Sequence, residues 1–404
     1  MQFALNVITS FRKDNSIAEN HYARIIRFLK STPEYHAMQA SKNYPFESPN
    51  ISLAGEIPVG SIYHPVSKGI SYYGLNKSEL NQNLLCCGRA GAGKTSLISI
   101  ILSGLVKQGI PFLCIDFKRD YASFIHNDKN MYVFNWKTFL FNPLLPPPGT
   151  DRIAWNQIFC DIFFHSCFNS SSIPTAAKSV FLDLLCGLTD RNSLLTMHDL
   201  DNAMDEVLAS SRISSGYKER IRTSQSRIKA MMRVLGPMFS NSYRLEYLLD
   251  RRVVLMLDGL TVEMQSFLIT ALFHWIFTYR MNACQRGGLK HCMVFDEAKM
   301  VFSSELASGA SPISRLISTS REFGQGLILG EQMPSCLGHA VQANLYTQIC
   351  LSLSSSRISR RCHMRWGWIT TRGPCSTTFL LGQVSARWLT VIQNLLCSES
   401  PISC

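Results

Sequence analysis

The residues most suited to chemistry are the eight of the run GRAGAGKT, residues 88–95, which satisfies G-x-x-x-x-G-K-[ST] in full. Glycines let the backbone curl so that successive N–H groups point at one anion. A helix that begins directly afterwards places its positive end at the same point. The run follows the apolar stretch Leu84–Cys87 and precedes a helical stretch, Thr95 to about Gln108, which is the context that this motif requires.

This loop predicts a site for ATP and Mg²⁺. Lys94 would reach the β- and γ-phosphates, and the hydroxyl of Thr95 would bind magnesium. The predicted nucleotide-binding residues are Gly88, Arg89, Ala90, Gly91, Ala92, Gly93, Lys94, Thr95 and Ser96.

A second motif, MVFDE at residues 293–297, ends an apolar strand in two acids. A carboxylate in this position can hold magnesium, and an adjacent glutamate can act as general base on the attacking water. Asp296 is therefore predicted to bind the metal and Glu297 to activate water. An Asp-Glu pair alone is weak evidence, because acids also match the dipole of a helix that begins there. Its combination with residues 88–95 favours the functional interpretation.

Asp258 is a rival to Asp296, because VVLMLDGL also ends an apolar run in Asp. It lacks the adjacent Glu and is followed by Gly259. We interpret Asp258 as a turn or helix-cap residue, with contact to the nucleotide as the alternative.

Two further candidates lie in residues 320–332. Gln332 ends another apolar run, where a neutral amide can sense the γ-phosphate or orient water, and Arg321 could reach a phosphate of a neighbouring subunit. From the residues alone, an ordinary strand-end amide and a solvated helix arginine are the favoured interpretations.

The elements that must position these residues read as alternating strands and helices. Strand, glycine turn, helix and the apolar run PFLCIDFK form a βαβ unit, which indicates a parallel sheet with helices on both faces. Further strands are predicted within residues 251–260, 291–298, 326–332 and 345–353, with a helix from Val262 to about Arg280.

The fold class predicted is α/β, a P-loop NTPase with a mostly parallel central sheet flanked by helices. Residues 83–149 and 250–356 would form the ATPase core and residues 150–249, after the break NPLLPPPG, a helical insertion. Residues 1–82 stay unassigned, with a short helix near residues 20–31 and small strands and loops after residue 50.

Composition is that of a packed globular protein, with 46% hydrophobic and 17% charged residues. The net charge of +12 is compatible with a polyanionic partner such as nucleic acid and equally with none. The fourteen cysteines are scattered without a C-x-x-C pair, which favours structural thiols in a reducing compartment. The N-terminus is a poor signal peptide and no run of eighteen apolar residues occurs, so a cytoplasmic protein is expected.

Several segments together resemble the FtsK/HerA superfamily of DNA-pumping ATPases, particularly its HerA-like and conjugation-ATPase branch. In chain order they are GRAGAGKTS, IDFKRDYASF, FNPLLPPPG, VLMLDGL, MVFDEAKMVF and REFGQGLILGEQMPSCL, followed by Asn344 and Thr347. The resemblance implies a RecA-like sheet, hexameric rings, ATP hydrolysis between subunits and translocation along duplex DNA. By matching position it gives catalytic roles to Lys94, Glu297, Gln332 and Arg321, and places Asp116 and Lys118 near the nucleotide.

The tail, residues 357–404, departs from this resemblance. It holds four Cys and three Trp but no Lys or Asp, and six Arg against one Glu. Permitted codons for RISRRCHMRWGWITT, read two bases on, can encode DIAKMSYAMGLDYY, which resembles the family's C-terminal text. We therefore hypothesise a shift of reading frame near residue 356. Stop codons in the shifted frame of the gene would disprove it.

Three functions remain open at this point. The leading one is a DNA-translocating or helicase-type motor, for which the basic stretch 212–233, with seven Lys or Arg against one Glu, could face DNA. A solvated helix face explains that stretch as well. The alternatives are a secretion or conjugation ATPase of a membrane complex and a slow nucleotide-dependent switch.

Overall fold

Short apolar runs that end in glycine or acidic turns form the central sheet. The structure, a computed structural model, describes residues 55–63, 70–122, 130–168, 174–192, 194–239, 244–284, 286–302, 312–351, 367–371 and 378–381. The helix predicted near residues 20–31 lies outside these ranges, as does most of the tail.

Eleven strands are present in the described ranges. They are β1 (Ile57–Tyr63), β2 (Ile70–Leu75), β3 (Leu84–Cys87), β4 (Phe112–Asp116), β5 (Met131–Asn135), β6 (Arg252–Met256), β7 (His291–Phe295), β8 (Gln325–Glu331), β9 (Thr347–Cys350), β10 (Gly367–Thr371) and β11 (Thr378–Leu381). The first two form a separate antiparallel hairpin.

Eleven α-helices are present in the same ranges. They are α1 (Lys77–Leu80), α2 (Lys94–Lys107), α3 (Arg152–Cys167), α4 (Thr175–Arg191), α5 (Met197–Ala209), α6 (Ser215–Phe239), α7 (Leu245–Leu248), α8 (Val262–Asn282), α9 (Lys299–Phe302), α10 (Pro312–Ser320) and α11 (His339–Ala343). None of these helices combines the length and apolar character needed to cross a bilayer.

The remaining nine strands form one sheet in the order β11-β10-β9-β3-β8-β7-β4-β6-β5. All neighbours from β9 to β5 are parallel, and β10 and β11 extend the sheet in antiparallel fashion. The described chain therefore confirms the α/β class and the parallel central sheet. The strand that carries the glycine loop, β3, lies next to β8, and β8 lies next to β7, which carries the acidic pair.

The two faces of the sheet are covered by different helices. Strands β3, β4, β7 and β8 are buried at every residue, as parallel strands covered on both faces should be. Leu84 and Cys86 pack with α2 and the β1–β2 hairpin, whereas Leu85 and Cys87 pack with α3 and α8. Alternate residues of β3 face opposite sides of the sheet, so α2 packs on the face of Leu84 and Cys86. The glycine loop that precedes α2 therefore lies where β3 ends.

Between β5 and β6 the chain forms α3 to α7, so the stretch predicted as helical contains no strand in its described residues. Buried aromatic side chains join this helical layer to the sheet domain. Phe159 and Phe163 of α3 stack on Phe181 of α4 and meet Phe267 of α8 edge-on. Such pairs add to the burial of large apolar surface.

Strand β5 was not predicted from the sequence. It is the outer strand of the sheet, and Tyr132 and Val133 are each 40% exposed. An edge strand that is half in solvent lacks the continuous apolar run by which the inner strands are recognised.

Two buried histidines should make the folded state sensitive to acid. Burial lowers the pKa of His274 to about 4 and that of His291 to about 3, so both are neutral in the fold and bind protons more readily when unfolded. Stability should therefore fall as pH decreases from about 6.5 toward these values, by about 1.4 kcal/mol per pH unit for each histidine.

Replacement of His274 by leucine should remove its share of that slope, because it deletes a buried titrating group whose Nε2 has no partner among the described residues. Urea unfolding at pH 7 and pH 5 measures this, with the exposed His198→Gln as the control variant. An unchanged slope in His274→Leu would contradict the assignment.

Candidate active site

The glycine loop between β3 and α2 depends on backbone conformations that other residues rarely adopt. Gly93 is the N-cap of α2 with φ 96°, and Gly91 has φ 71°. A Cβ atom at either position would meet no atom within 4 Å, so the constraint is backbone conformation and not space. The loop leaves the N–H groups of the first turn of α2 available to an anion.

Lys94 lies inside this loop with only 8% of its surface exposed. Its Nζ donates to the carbonyl oxygens of Gly88 at 2.9 Å and Arg89 at 3.2 Å. Burial lowers the pKa of Lys94, and the nearby carboxylate of Asp296 opposes that shift. The ammonium group is thus enclosed by the loop, where it can donate charge-assisted hydrogen bonds to a phosphate.

Thr95 and Asp296, which are far apart in the chain, meet here. The Thr95 hydroxyl donates to Oδ2 of Asp296 at 3.0 Å. Asp296 is 8% exposed, and its Oδ1 is buried without a hydrogen-bond partner among the described residues. An orphaned carboxylate oxygen beside a hydroxyl fits a hard cation that binds oxygen ligands and shares its remaining positions with water and phosphate. Mg²⁺ fits this donor set.

Glu297 follows Asp296 and forms an ion pair with Lys118, which comes from the loop after β4. A second ammonium, that of Lys299, lies 3.7 Å from its other oxygen. Burial alone would raise the pKa of Glu297, but the hydrogen bond and charge of Lys118, together with Lys299, lower it overall. Glu297 is therefore ionised, and its carboxylate is paired with the ammonium group of Lys118.

Asp116 organises the loop that carries Lys118. Its carboxylate accepts backbone N–H groups from Lys118 at 3.0 Å, Asp120 at 3.2 Å and Tyr121 at 3.0 Å. The side chain is 1% exposed and is fully used by the loop. Asp116 therefore shapes the site, whereas Lys118 takes part in it. The family resemblance implied a place near the nucleotide for both residues, without separating these roles.

Asp258 lies in the turn after β6 and pairs with Arg119 at 2.7 Å. Its backbone oxygen accepts from the indole of Trp136 at 3.0 Å. The residue that caps α8 is Thr261, whose hydroxyl accepts from the N–H of Met264. Asp258 thus lies in the predicted turn, is not the helix cap, and uses its carboxylate on Arg119.

Glu331, the last residue of β8, was missed by sequence reasoning. It is 2% exposed, and its carboxylate accepts backbone N–H groups from Lys299 at 2.8 Å, Gln332 at 2.7 Å and Met333 at 3.0 Å. Its own carbonyl accepts from the N–H of Gly88 at 3.1 Å. One buried residue therefore holds together the glycine loop, the segment after the acidic pair and the start of the loop after β8. The only sequence signal was an acid at the end of an apolar run.

Gln332 and Arg321 lie at opposite ends of β8. Gln332 follows the strand directly, so it lies between the glycine loop on β3 and the acidic pair on β7. Arg321 precedes the strand, is exposed, and its Nη1 contacts Oε1 of Gln82, before the start of β3, at 3.4 Å. Because β3 and β8 are parallel, Arg321 lies at the edge of the sheet away from its own glycine loop.

Comparison with solved structures identifies proteins of the same architecture. VirB4 of Thermoanaerobacter pseudethanolicus superposes with a TM-score of 0.62 at 14% sequence identity, over 85% of this chain and 99% of that one. The plasmid coupling protein TrwB, in complex with the GTP analogue GDPNP, superposes with a TM-score of 0.59 at 11% identity, over 77% and 87%. TrwB with ADP and Mg²⁺ gives 0.56 at 11% identity, over 77% and 82%.

The chain therefore has the fold of VirB4 and TrwB. This confirms, at the level of the fold, the resemblance seen in the sequence segments. No protein-family model matches the sequence, and no curated protein matches it either. The sequence identities are low, so the likeness to solved structures is one of fold, and the roles of individual residues depend on the geometry above.

Proposed function

We propose that this chain is the ATP-hydrolysing subunit of a ring-shaped motor that translocates or unwinds DNA. The observation that carries the proposal is the contact between Thr95 and Asp296, which joins the end of the glycine loop to the acidic strand β7. It brings a phosphate-binding lysine, two metal ligands and a glutamate to one edge of the sheet. TrwB bound to ADP and Mg²⁺ has the same fold, which supports ATP and Mg²⁺ as the ligands here.

Each residue has a role that its position allows. The N–H groups of the glycine loop bind the phosphates, and Lys94 exchanges its contacts with the loop carbonyls for phosphate oxygens. Thr95 and Asp296 hold Mg²⁺, which neutralises charge on the phosphates when it is bound. Glu297 accepts a proton from the attacking water, and Gln332 orients that water or senses the γ-phosphate.

Lys118 must move before Glu297 can act as a base. Its ammonium is hydrogen bonded to the carboxylate that would receive the proton. It is 56% exposed, so it can leave without disturbing the buried core. We take this ion pair as the resting arrangement of the base.

Arg321 is proposed to complete the site of a neighbouring subunit. It is exposed at the edge of the sheet away from its own glycine loop, so only a second copy of the chain could bring it to a nucleotide. An arginine supplied in this way stabilises charge on the transferred phosphoryl group. A homo-oligomer, expected to be hexameric, follows from this role.

A mixing experiment tests that role. Arg321→Ala should bind ATP normally and lose about 1,000-fold or more in turnover. Mixed with an equal amount of Lys94→Ala, which supplies intact Arg321 but binds ATP too weakly to fill its own site at the concentration used, it should recover a substantial part of the wild-type rate. If the mixture is no more active than the sum of its components, Arg321 does not act between subunits.

The surface proposed to face DNA is that of α6. Arg220 and Arg227 are exposed two turns apart on one side of this helix and form no ion pair among the described residues. Part of the basic charge of α6 is neutralised by ion pairs, since Lys229 pairs with Asp205 at 2.8 Å and Arg222 with Glu219 at 3.4 Å. Arg227 also lies over the ring of Phe168 at 5.5 Å, and these two arginines outside ion pairs are the best probes of a phosphate contact.

The deciding measurement is ATP turnover with and without duplex DNA, together with native mass in the presence of ATP. A DNA-translocating motor should be stimulated by DNA, and Arg220→Glu with Arg227→Glu should weaken the stimulation and its salt dependence. Lys107→Glu with Lys137→Glu, two exposed positions outside α6, is the control that reverses the same number of charges. Equal effects of the two changes would disprove a DNA surface on α6.

A second candidate, an ATPase of a conjugation or secretion complex, is favoured by the overlap with VirB4 and with a plasmid coupling protein. Stimulation only by a membrane complex, and not by DNA, would support it. Negligible turnover with retained ATP binding would instead support the third candidate, a nucleotide-dependent switch.

A further inference from the structure

Two cysteine thiols lie in contact at the base of the glycine loop. Cys87 is the last residue of β3 and Cys350 the last residue of β9, and the two are register partners in neighbouring parallel strands. Their sulfur atoms are 2.9 Å apart. No disulfide bond joins them in the structure. Register partners lie about 4.8 Å apart between strands, within the Cα separation that a disulfide requires.

The two thiols differ in exposure, and the pKa of Cys350 is lowered. Cys87 is 1% exposed, whereas Cys350 is half-buried. The hydrogen bond from Cys87 lowers the pKa of Cys350, although burial opposes it. By contrast, burial raises the pKa of Cys292 to about 12 in the same sheet. Since the thiolate is the reactive form, Cys350 is the better nucleophile.

We propose that Cys87 and Cys350 form an oxidative modification site, in which a hydroperoxide converts the thiol pair into a disulfide between β3 and β9. The sulfur of Cys350 attacks one peroxide oxygen, the O–O bond breaks, and the leaving oxygen takes a proton, which gives a sulfenic acid. The sulfur of Cys87 then attacks the sulfenic sulfur, the S–O bond breaks, and water leaves as the S–S bond forms. With hydrogen peroxide, two thiols give one disulfide and two water molecules, and a dithiol reductant reverses the change.

The bond would connect strand β9 directly to the strand that carries the glycine loop. The N–H of Leu351 already donates to the carbonyl of Cys87 at 2.7 Å. A Cβ on Gly88 would lie 2.9 Å from that of Leu351, so the two segments are in close contact. The disulfide would close a loop between residues 263 positions apart, and a crosslink over so long a loop stabilises the native state. This inference does not depend on the function proposed above.

The test uses the full chain treated with hydrogen peroxide, followed by alkylation of remaining thiols and peptide mapping. A peptide joined through Cys87 and Cys350, with loss of two hydrogens, is expected, and it should disappear after a dithiol reductant. Oxidised protein should melt roughly 3–6 °C higher than the same sample after reduction. Cys350→Ser should abolish both effects, whereas Cys336→Ser, a half-buried cysteine outside the pair, should preserve both.

Two outcomes would overturn the proposal. The first is a wild-type map in which Cys87 and Cys350 remain alkylated as separate thiols or appear as sulfinic acids. The second is a reductant-sensitive stabilisation that persists in Cys350→Ser. The wild-type map decides the question even if a serine variant fails to fold.

Discussion

Lys94→Ala is expected to weaken binding of Mg²⁺-ATP by about 100-fold or more. The lysine would form charge-assisted hydrogen bonds to two phosphates, each worth about 1.5–3 kcal/mol, and every 1.4 kcal/mol is tenfold in affinity. The side chain points into the loop and has no other acceptor among the described residues than the carbonyls of Gly88 and Arg89. Its loss should therefore affect ligand binding far more than folding.

Isothermal titration with ATP and Mg²⁺ measures this effect. Lys107→Ala is the control, because Lys107 ends the same helix but is exposed. Affinity within threefold of wild type in a folded Lys94→Ala protein would show that the loop does not bind phosphate as proposed.

Glu297→Gln is expected to bind ATP with nearly unchanged affinity and to lose about 10²- to 10⁴-fold in turnover. The amide cannot accept the proton of water, and removal of a general base costs about this much. It keeps an oxygen that can accept from Lys118, so the local structure should persist.

Single-turnover hydrolysis and equilibrium binding should be measured on the same preparation. Glu263→Gln, an exposed acid in the first turn of α8, is the matched substitution and should leave turnover unchanged. Turnover that survives within tenfold in Glu297→Gln would assign the base to another residue.

The inner elements could be predicted because each buries an uninterrupted apolar run. The predicted strand Leu84–Cys87 coincides with β3, and the helices predicted from Thr95 and Val262 begin within one residue of α2 and α8. The order of the strands could not be predicted, because β8 enters between β3 and β7 after a long crossover. Only that order brings Gln332 between the loop and the acids.

Candidate site residues could be predicted where one local motif contains them. Contacts between residues distant in the chain could not be predicted. Nothing in the local sequence pairs Lys118 with Glu297, which are 179 positions apart. Glu331 was overlooked because its carboxylate accepts hydrogen bonds from backbone N–H groups, and no pattern of side chains in the sequence predicts such contacts. Arg321 and Gln332 depended on family resemblance, and the structure adds their placement at the two ends of β8.

Strand β8 is buried at all seven residues, from Gln325 to Glu331. A strand of this length spans about 23 Å. Because it is hydrogen bonded to β3 on one side and to β7 on the other, it moves as a rigid unit. If Arg321 reaches the nucleotide of the neighbouring subunit, a displacement at the start of β8 would be transmitted to Glu331 and Gln332 in the subunit's own site. Adjacent subunits would then hydrolyse ATP one after another, because β8 connects the site of one subunit to that of the next.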